Sequence, residues 1–296
     1  MHGKQWAVML SAAAGILVPD AAGAGAWTLP AGSAWGKITW FRQHAREWYI
    51  NAPEFTGTMH EAGSRRPYRF NGEYDSRAVF VEGYLGASDR LDLGLQVPWF
   101  DQQFDDDTHL DPVGDSGFSD LRLLAKWRAL QAPAVVTVKA AVKMPTGEFR
   151  NEDGLIPVGE GQWDFDFILQ AGRSFWPLPL YANADVGYRV RTENEEILRD
   201  PGDEWMIDLE AGGKAGSRIG LALKLQVLRG LTGTDFGFPS RTQVKRITYL
   251  APALSLSLPG NSLLELAVRQ SLGGRNFPAG RQFALGLSTS VEAWNR

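Results

Sequence analysis

Apolar residues take every second position over stretch after stretch of this chain. Leu121, Leu123, Ala125 and Trp127 alternate with Asp120, Arg122, Lys126 and Arg128. Val136, Val138, Ala140 and Val142 alternate with Thr137, Lys139 and Lys143, and Trp163, Phe165, Phe167 and Leu169 with Asp164, Asp166 and Gln170. A period of two belongs to a β-strand with one oily face and one polar face. Such strands also build water-soluble sandwiches, but here the polar face carries charge on strand after strand. The pattern predicts an all-β fold: a transmembrane, antiparallel, up-and-down β-barrel of the outer-membrane type, with lipid outside and a wet lumen inside.

Twelve segments carry the pattern. They lie near Trp35–Trp48, Tyr74–Leu85, Leu91–Trp99, Phe118–Ala129, Ala134–Met144 and Gln162–Gly172. The rest lie near Leu180–Arg191, Glu204–Gly212, Arg218–Leu228, Ile247–Leu258, Ser262–Leu272 and Gln282–Trp294. Short connections (Gly86–Arg90, Leu130–Pro133, Arg173–Pro179, Gly213–Ser217, Pro259–Asn261) alternate with long ones (Tyr49–Glu73, Phe100–Gly117, Pro145–Gly161, Thr192–Asp203, Arg229–Arg246). An even strand number with alternating periplasmic turns and extracellular loops is the barrel pattern. Pro252 interrupts the tenth segment and predicts a bulge or a local edge there. The chain ends Trp294-Asn295-Arg296, with its last aromatic two residues in from the terminus.

The first 26 residues read as a signal peptide: Lys4, an apolar core from Trp6 to Val18, and an A-x-A site at Ala24-Gly25-Ala26. The barrel is then expected over 27–296, exported to the outer membrane. The apolar core is shorter than the roughly 20 residues of a spanning helix, so only a closed barrel would place this chain in a bilayer. A net charge of −4 disfavours a nucleic-acid partner. The chain has no cysteine and so no thiol chemistry. Its 11 Trp, 15 Phe and 7 Tyr suit aromatic girdles at two interfaces.

Assigning each polar face to the interior gives a lumen with a definite charge layout. Arg122, Lys126, Lys139 and Lys143 form a basic arc; Asp164 and Asp166 follow; then come Asp185, Arg189, Asp208 and Glu210. These ten are the candidate pore-lining residues. Two readings stay open: a pore wall polarised for passage, or a narrow lumen filled by cross-strand ion pairs. Twelve strands lie between filled eight-stranded barrels and open sixteen-stranded porins.

Catalytic chemistry finds little support. His44, His60 and His109 are the histidines beyond the signal peptide, and none lies beside a Ser in outward register as a Ser–His pair would need. The protein is expected not to be an enzyme. The acidic stretch Asp101, Asp105, Asp106, Asp107, Asp111 and Asp115 is rich in oxygen ligands but has no EF-hand spacing, and is read as a solvated face. No metal site and no cofactor are expected. Phe104, Phe149, Phe236 and Phe238, in outer loops, either fold those loops onto the rim or form an apolar patch for solutes.

Several segments resemble the outer-membrane family named for the meta-pathway of phenol degradation. They are Gly114-Asp115-Ser116-Gly117-Phe118-Ser119-Asp120-Leu121, Lys126-Trp127-Arg128, Val142-Lys143-Met144-Pro145-Thr146-Gly147, Gly159-Glu160-Gly161-Gln162-Trp163-Asp164-Phe165-Asp166 and Ala184-Asp185-Val186-Gly187-Tyr188-Arg189. Their order, across about Phe80 to Arg269, carries the resemblance. It implies an outer-membrane channel passing small organic solutes, aromatic or apolar, without a cofactor. The expected partners are membrane lipids, lipopolysaccharide and that solute; the oligomeric state is open. The alternative is a closed structural or adhesion barrel whose long loops bind a partner or surface polymer. Pro145-Thr146-Gly147 is expected to end the fifth strand at the outer rim. Asp120 and Asp164 are expected just below that rim, each with a cation in reach: Arg122 on the same strand as Asp120, and Lys143 on the strand before Asp164.

Overall fold

The computed structural model describes residues 25–149 and 157–292. Twelve long strands close into an antiparallel barrel: β1 (Ala34–Ala45), β2 (Glu73–Ser88), β3 (Leu91–Asp105), β4 (Arg122–Leu130), β5 (Val135–Lys143), β6 (Asp164–Ser174), β7 (Leu180–Arg191), β8 (Glu204–Ala215), β9 (Ile219–Gly230), β10 (Arg246–Leu258), β11 (Ser262–Arg275) and β12 (Arg281–Val291). Each pairs with its sequence neighbours, and β12 returns to β1 (Trp40↔Leu285), so the main sheet closes on itself. Among the described residues there is no α-helix.

The barrel is inside-out relative to a soluble protein. The outward rows are apolar and exposed, as at Ile38 and Trp40 on β1, Leu221 and Leu223 on β9, and Leu285 and Leu287 on β12. A soluble monomer does not carry so large an exposed apolar surface. About half of the buried side chains are polar or charged, including Asp92, Lys126, Thr137, Lys143, Asp164 and Gln170. Both short termini of the ladder and the short turns lie at one end, and the long connections at the other.

The structure refines several expected boundaries. The fourth strand is in two pieces: Val113–Phe118 pairs with the outer half of β3, and β4 proper with its inner half. Ser119, Asp120 and Leu121 fall out of the ladder between them. Consequently the expected loop Phe100–Gly117 is mostly a hairpin extension of the wall (Gln103↔Gly114), with only its tip irregular. Pro252 produces no bulge. Its pairing with Leu223 on β9 is regular, and on the β11 side the ladder merely skips it while Leu250↔Gln270 and Ala253↔Ala267 keep one register. The missing proline N–H costs a rung and nothing more; the actual register shift lies at Thr248/Tyr249. The segment up to residue 24, which carries most of the expected signal peptide, and the terminal Trp294-Asn295-Arg296 lie outside the described residues.

Residues 25–33 enter the barrel at the short-turn end and lie across its lumen. The Thr137 hydroxyl donates to the Ala26 carbonyl, and Lys126 Nζ donates to the Trp27 carbonyl at 2.8 Å. Leu29 N–H donates to the Asp92 carboxylate at 3.0 Å, and Gly32 N–H to the Gly86 carbonyl at 2.8 Å. The segment thus crosses β5, β4, β3 and β2 in turn. Leu29 packs with Trp35, Tyr84, Leu124 and Ala141 in an apolar cluster inside the lumen. The expected cleavage position after Ala26 falls within this plug.

Candidate functional site

The ten candidate pore-lining residues divide among three levels of the lumen. At the outer level, strand register builds an ion lattice. Lys143 opposes Asp164, Asp164 opposes Arg191, Asp166 opposes Arg189, and Arg189 opposes Glu204 across successive strands. Opposite charges directly across a ladder stabilise the pairing. Asp166 is gripped by Arg189 through Nε at 2.6 Å and Nη2 at 3.1 Å, and by Arg122 at 2.8 Å. Arg189 reaches Glu204 at 2.9 Å, and Arg191 joins Asp164, Glu204 and Glu160 at 3.3, 3.3 and 2.8 Å.

Lys143 is the hub. Its ammonium lies 3.2 Å from Asp120, 2.5 Å from Glu160 and 3.1 Å from Asp164. Asp120 also accepts the backbone N–H groups of Gly147 and Glu160, each at 3.0 Å, so one carboxylate holds both ends of the connection between β5 and β6. The Ser119 hydroxyl donates to the Val158 carbonyl from the same break in the fourth strand. Gly147 and Gly159 touch backbone to backbone; a Cβ on Gly159 would lie 2.5 Å from the Gly147 carbonyl. The expected cation for Asp120 was on its own strand; the structure supplies Lys143 from the next one. Glu160 is half-exposed to the lumen; its partial desolvation raises the carboxyl pKa, but Arg191, Lys245 and Lys143 outweigh that and hold it well below the ordinary carboxylate range.

At the middle level the charges are less engaged. The Lys139 ammonium stands 5.8 Å from the centre of the Tyr84 ring, with no described carboxylate in ion-pairing range. Asp185 accepts from Gln170 at 2.7 Å; Asp208 is exposed to the lumen. Glu210 accepts from Tyr181 and lies 3.5 Å from Lys224, which also meets Glu265 at 3.4 Å. At the inner level Lys126 is spent on the plug.

The opposite wall is aromatic, and the charge pattern gave no hint of it. Phe41 on β1, Phe80 on β2 and Phe100 on β3 form an edge-to-face row, with centroids 6.5 and 5.6 Å apart. Phe80 is in phase with Glu82, and Phe100 with Gln96 and Gln102; that phase was the available signal. A cavity of about 640 Å³ lies between this row and the lattice, bordered by Phe80, Phe100, Phe149, Asp120, Lys143 and Arg191. The outer-loop aromatics divide: Phe149 lines the cavity, Phe104 packs on Tyr68 with centroids 5.3 Å apart, and Phe236 and Phe238 are exposed.

The remaining candidates are loop chemistry. Asp106 accepts from Thr108 Oγ1 at 2.6 Å and lies 2.8 Å from His109 Nδ1; the Thr108 bond leads in holding its carboxyl down to about 2. His44 Nδ1 lies 2.7 Å from Asp75, and His60 Nε2 3.3 Å from the Thr58 hydroxyl.

The sequence matches the model of a family described as the MetA-pathway of phenol degradation over residues 69–287. Solved structures that share its architecture include the following two. An outer membrane channel from Pseudomonas putida F1 superposes with a TM-score of 0.72 at 16% identity, over 90% of this chain and 98% of that one. The β domain of the Bordetella autotransporter BrkA does so with a TM-score of 0.50 at 13% identity, over 88% of this chain and 100% of that one. At these identities the likeness is one of fold. No curated protein matches the sequence.

Proposed function

The chain belongs to the family described as the MetA-pathway of phenol degradation, and on that premise we propose that it is an outer-membrane channel for small, mainly apolar or aromatic organic solutes. The observation that carries this reading is the two-sided cavity. One wall is Phe80 and Phe100, with Phe41 packed behind Phe80; the other is the ion lattice around Lys143. An apolar ring fits the first wall by edge-to-face contact, worth about 0.5–1.5 kcal/mol per pair. Hydroxyl or carboxyl substituents find donors on the second. The shared fold with the Pseudomonas putida F1 channel supports the same reading. Passage requires the plug at residues 25–33 to yield, so the structure corresponds to a resting state.

Uptake of phenol and of glucose into proteoliposomes, with and without Phe80→Ala, tests this. Phenol is expected to enter faster than glucose beyond its leak through bare lipid, and Phe80→Ala to lower phenol uptake several-fold while sparing glucose. Equal rates for both solutes, unaffected by the substitution, would refute the reading. Lys139 is the cleaner probe of ion passage than Lys143, since its reversal to Glu breaks no ion pair; a shifted reversal potential is expected.

A second reading, a closed structural barrel, is favoured by the plug and by the saturation of the outer lattice. It predicts no solute passage even when the plug is loosened.

A further inference from the structure

We propose that the lipid-facing rim at the outer ends of β9, β10 and β11 is a binding surface for the phosphate groups of lipopolysaccharide. The inference rests on the outer-membrane placement in the proposed function but not on transport.

Arg229, Arg246 and Arg275 stand in one row across three adjacent strands, paired Arg229↔Arg246 and Arg246↔Arg275. Alternation puts Arg229 and Arg246 on the outward face, above Leu223 and Leu254, and the register shift at Thr248/Tyr249 brings Arg275 onto the same face as Arg246. Arg246 and Leu256 are ten positions apart. At about 3.3 Å per residue and a tilt of about 40°, that separation rises about 25 Å, the height of an outer-membrane barrel's apolar band. The long connections sit at this end. The row therefore lies at the headgroup level of the outer leaflet.

Like charges directly opposed across a ladder are destabilising, and no described residue neutralises these. Among the described residues none of the three has a carboxylate in ion-pairing range. Arg229 is pinned by neutral acceptors: the Leu228 and Ile247 carbonyls at 2.9 and 3.0 Å and the Thr248 hydroxyl at 2.9 Å. Arg275 is pinned likewise by the carbonyls of Asn51 at 3.0 Å and Arg241 at 2.6 Å. Two guanidinium groups are thus fixed in place with their charge unspent, and exposed Arg246 stands between them. Elsewhere the chain spends its acids freely: the lattice arginines all meet carboxylates, and in the first loop Arg65 pairs with Glu47 and Arg69 with Glu54. With a net charge of −4 the protein had acids to give this row. Around the barrel, the same rim on β6–β8 is aromatic instead, with Trp163 over Phe165 and Tyr188 against Trp205.

Guanidinium groups bind phosphate bidentately. A phosphorylated glycolipid packed against this wall fits the row both in position and in charge.

The test is binding of the refolded chain to four probes: lipopolysaccharide, the same material chemically dephosphorylated, phosphatidylglycerol vesicles and inorganic phosphate. The variants are R229Q/R246Q/R275Q, and Arg173→Gln, which removes an outward arginine at the opposite rim. At roughly five-fold per arginine, the triple variant should lose about 100-fold in affinity for lipopolysaccharide. Dephosphorylation should lower wild-type binding comparably, and Arg173→Gln should leave it unchanged. If the triple variant does not refold, Arg246→Gln alone should lose about five-fold. Unchanged binding by the folded variants overturns the proposal. So does equal affinity for phosphatidylglycerol, inhibition by inorganic phosphate alone, or an equal loss with Arg173→Gln. Failure of solute uptake with phosphate-dependent binding intact would sink the channel reading and leave this one standing.

Discussion

Replacing Lys143 by glutamine removes one cation from contact with three carboxylates. The distances are 3.2, 2.5 and 3.1 Å to Asp120, Glu160 and Asp164, and the Lys143 side chain is 4% exposed. At about 3 Å and an effective dielectric of about 20, each such contact is worth about 5 kcal/mol before desolvation. After desolvation, breaking a buried pair from one side costs about 3–5 kcal/mol. Asp120→Asn is expected to be milder. It leaves one backbone N–H without its charged acceptor, a cost of about 1–3 kcal/mol. It also relieves repulsion among the three acids. Once Lys143 is gone, losing the Asp120 charge becomes favourable, so the double variant should cost less than the sum of the singles by about 1–2 kcal/mol. Urea unfolding of the refolded barrel in detergent, followed by its Trp fluorescence, measures all three. If Asp120→Asn costs as much as Lys143→Gln, or the two add, Lys143 is not the hub.

Glu160 keeps its charge well below the ordinary carboxylate range. Its depressed folded-state value means that its stabilising contribution is complete above the unfolded value of 4.5 and is lost only as pH falls through the lower folded one. The thermal midpoint should therefore hold from pH 7 to about 5 and fall below about 4, and Glu160→Gln should flatten that acid limb; an equally steep limb in the variant would contradict this. The plug should loosen in Asp92→Asn/Lys126→Met, which preserves net charge while weakening two charge-assisted bonds of about 1.5–3 kcal/mol each. Single-channel recordings should show at least about a ten-fold rise in open probability, and unchanged recordings would show that residues 25–33 do not gate the lumen. Gly159→Ala drives a methyl into the Gly147 backbone at 2.5 Å and should cost about 1–3 kcal/mol by the same urea assay; a neutral result would mean the β5–β6 connection is not clamped there.

The alternation along each strand, the even strand count and the sorting of short from long connections are local or nearly local properties. They were legible in the sequence because a strand in lipid must present one apolar face whatever its neighbours are. The ten interior charges were legible for the same reason, each being the other half of that alternation. Register was not. Whether Asp120 meets Arg122 or Lys143 depends on how far β5 slides along its partners and on Ser119, Asp120 and Leu121 leaving the ladder, which no local pattern specifies. Phe41, Phe80 and Phe100 were hidden because an inward aromatic differs from an outward one only by phase, and three strands had to be aligned to see a row. The plug lay beyond reach for another reason. Residues 25–33 have no strand pattern of their own; their structure comes from Asp92, Lys126 and Thr137, polar groups that need partners once the barrel closes around them. Sequence alone determined which faces meet lipid and which meet the lumen; tertiary structure decided which interior charges neutralise each other, what stands opposite them, and which arginines at the rim remain without a counter-ion.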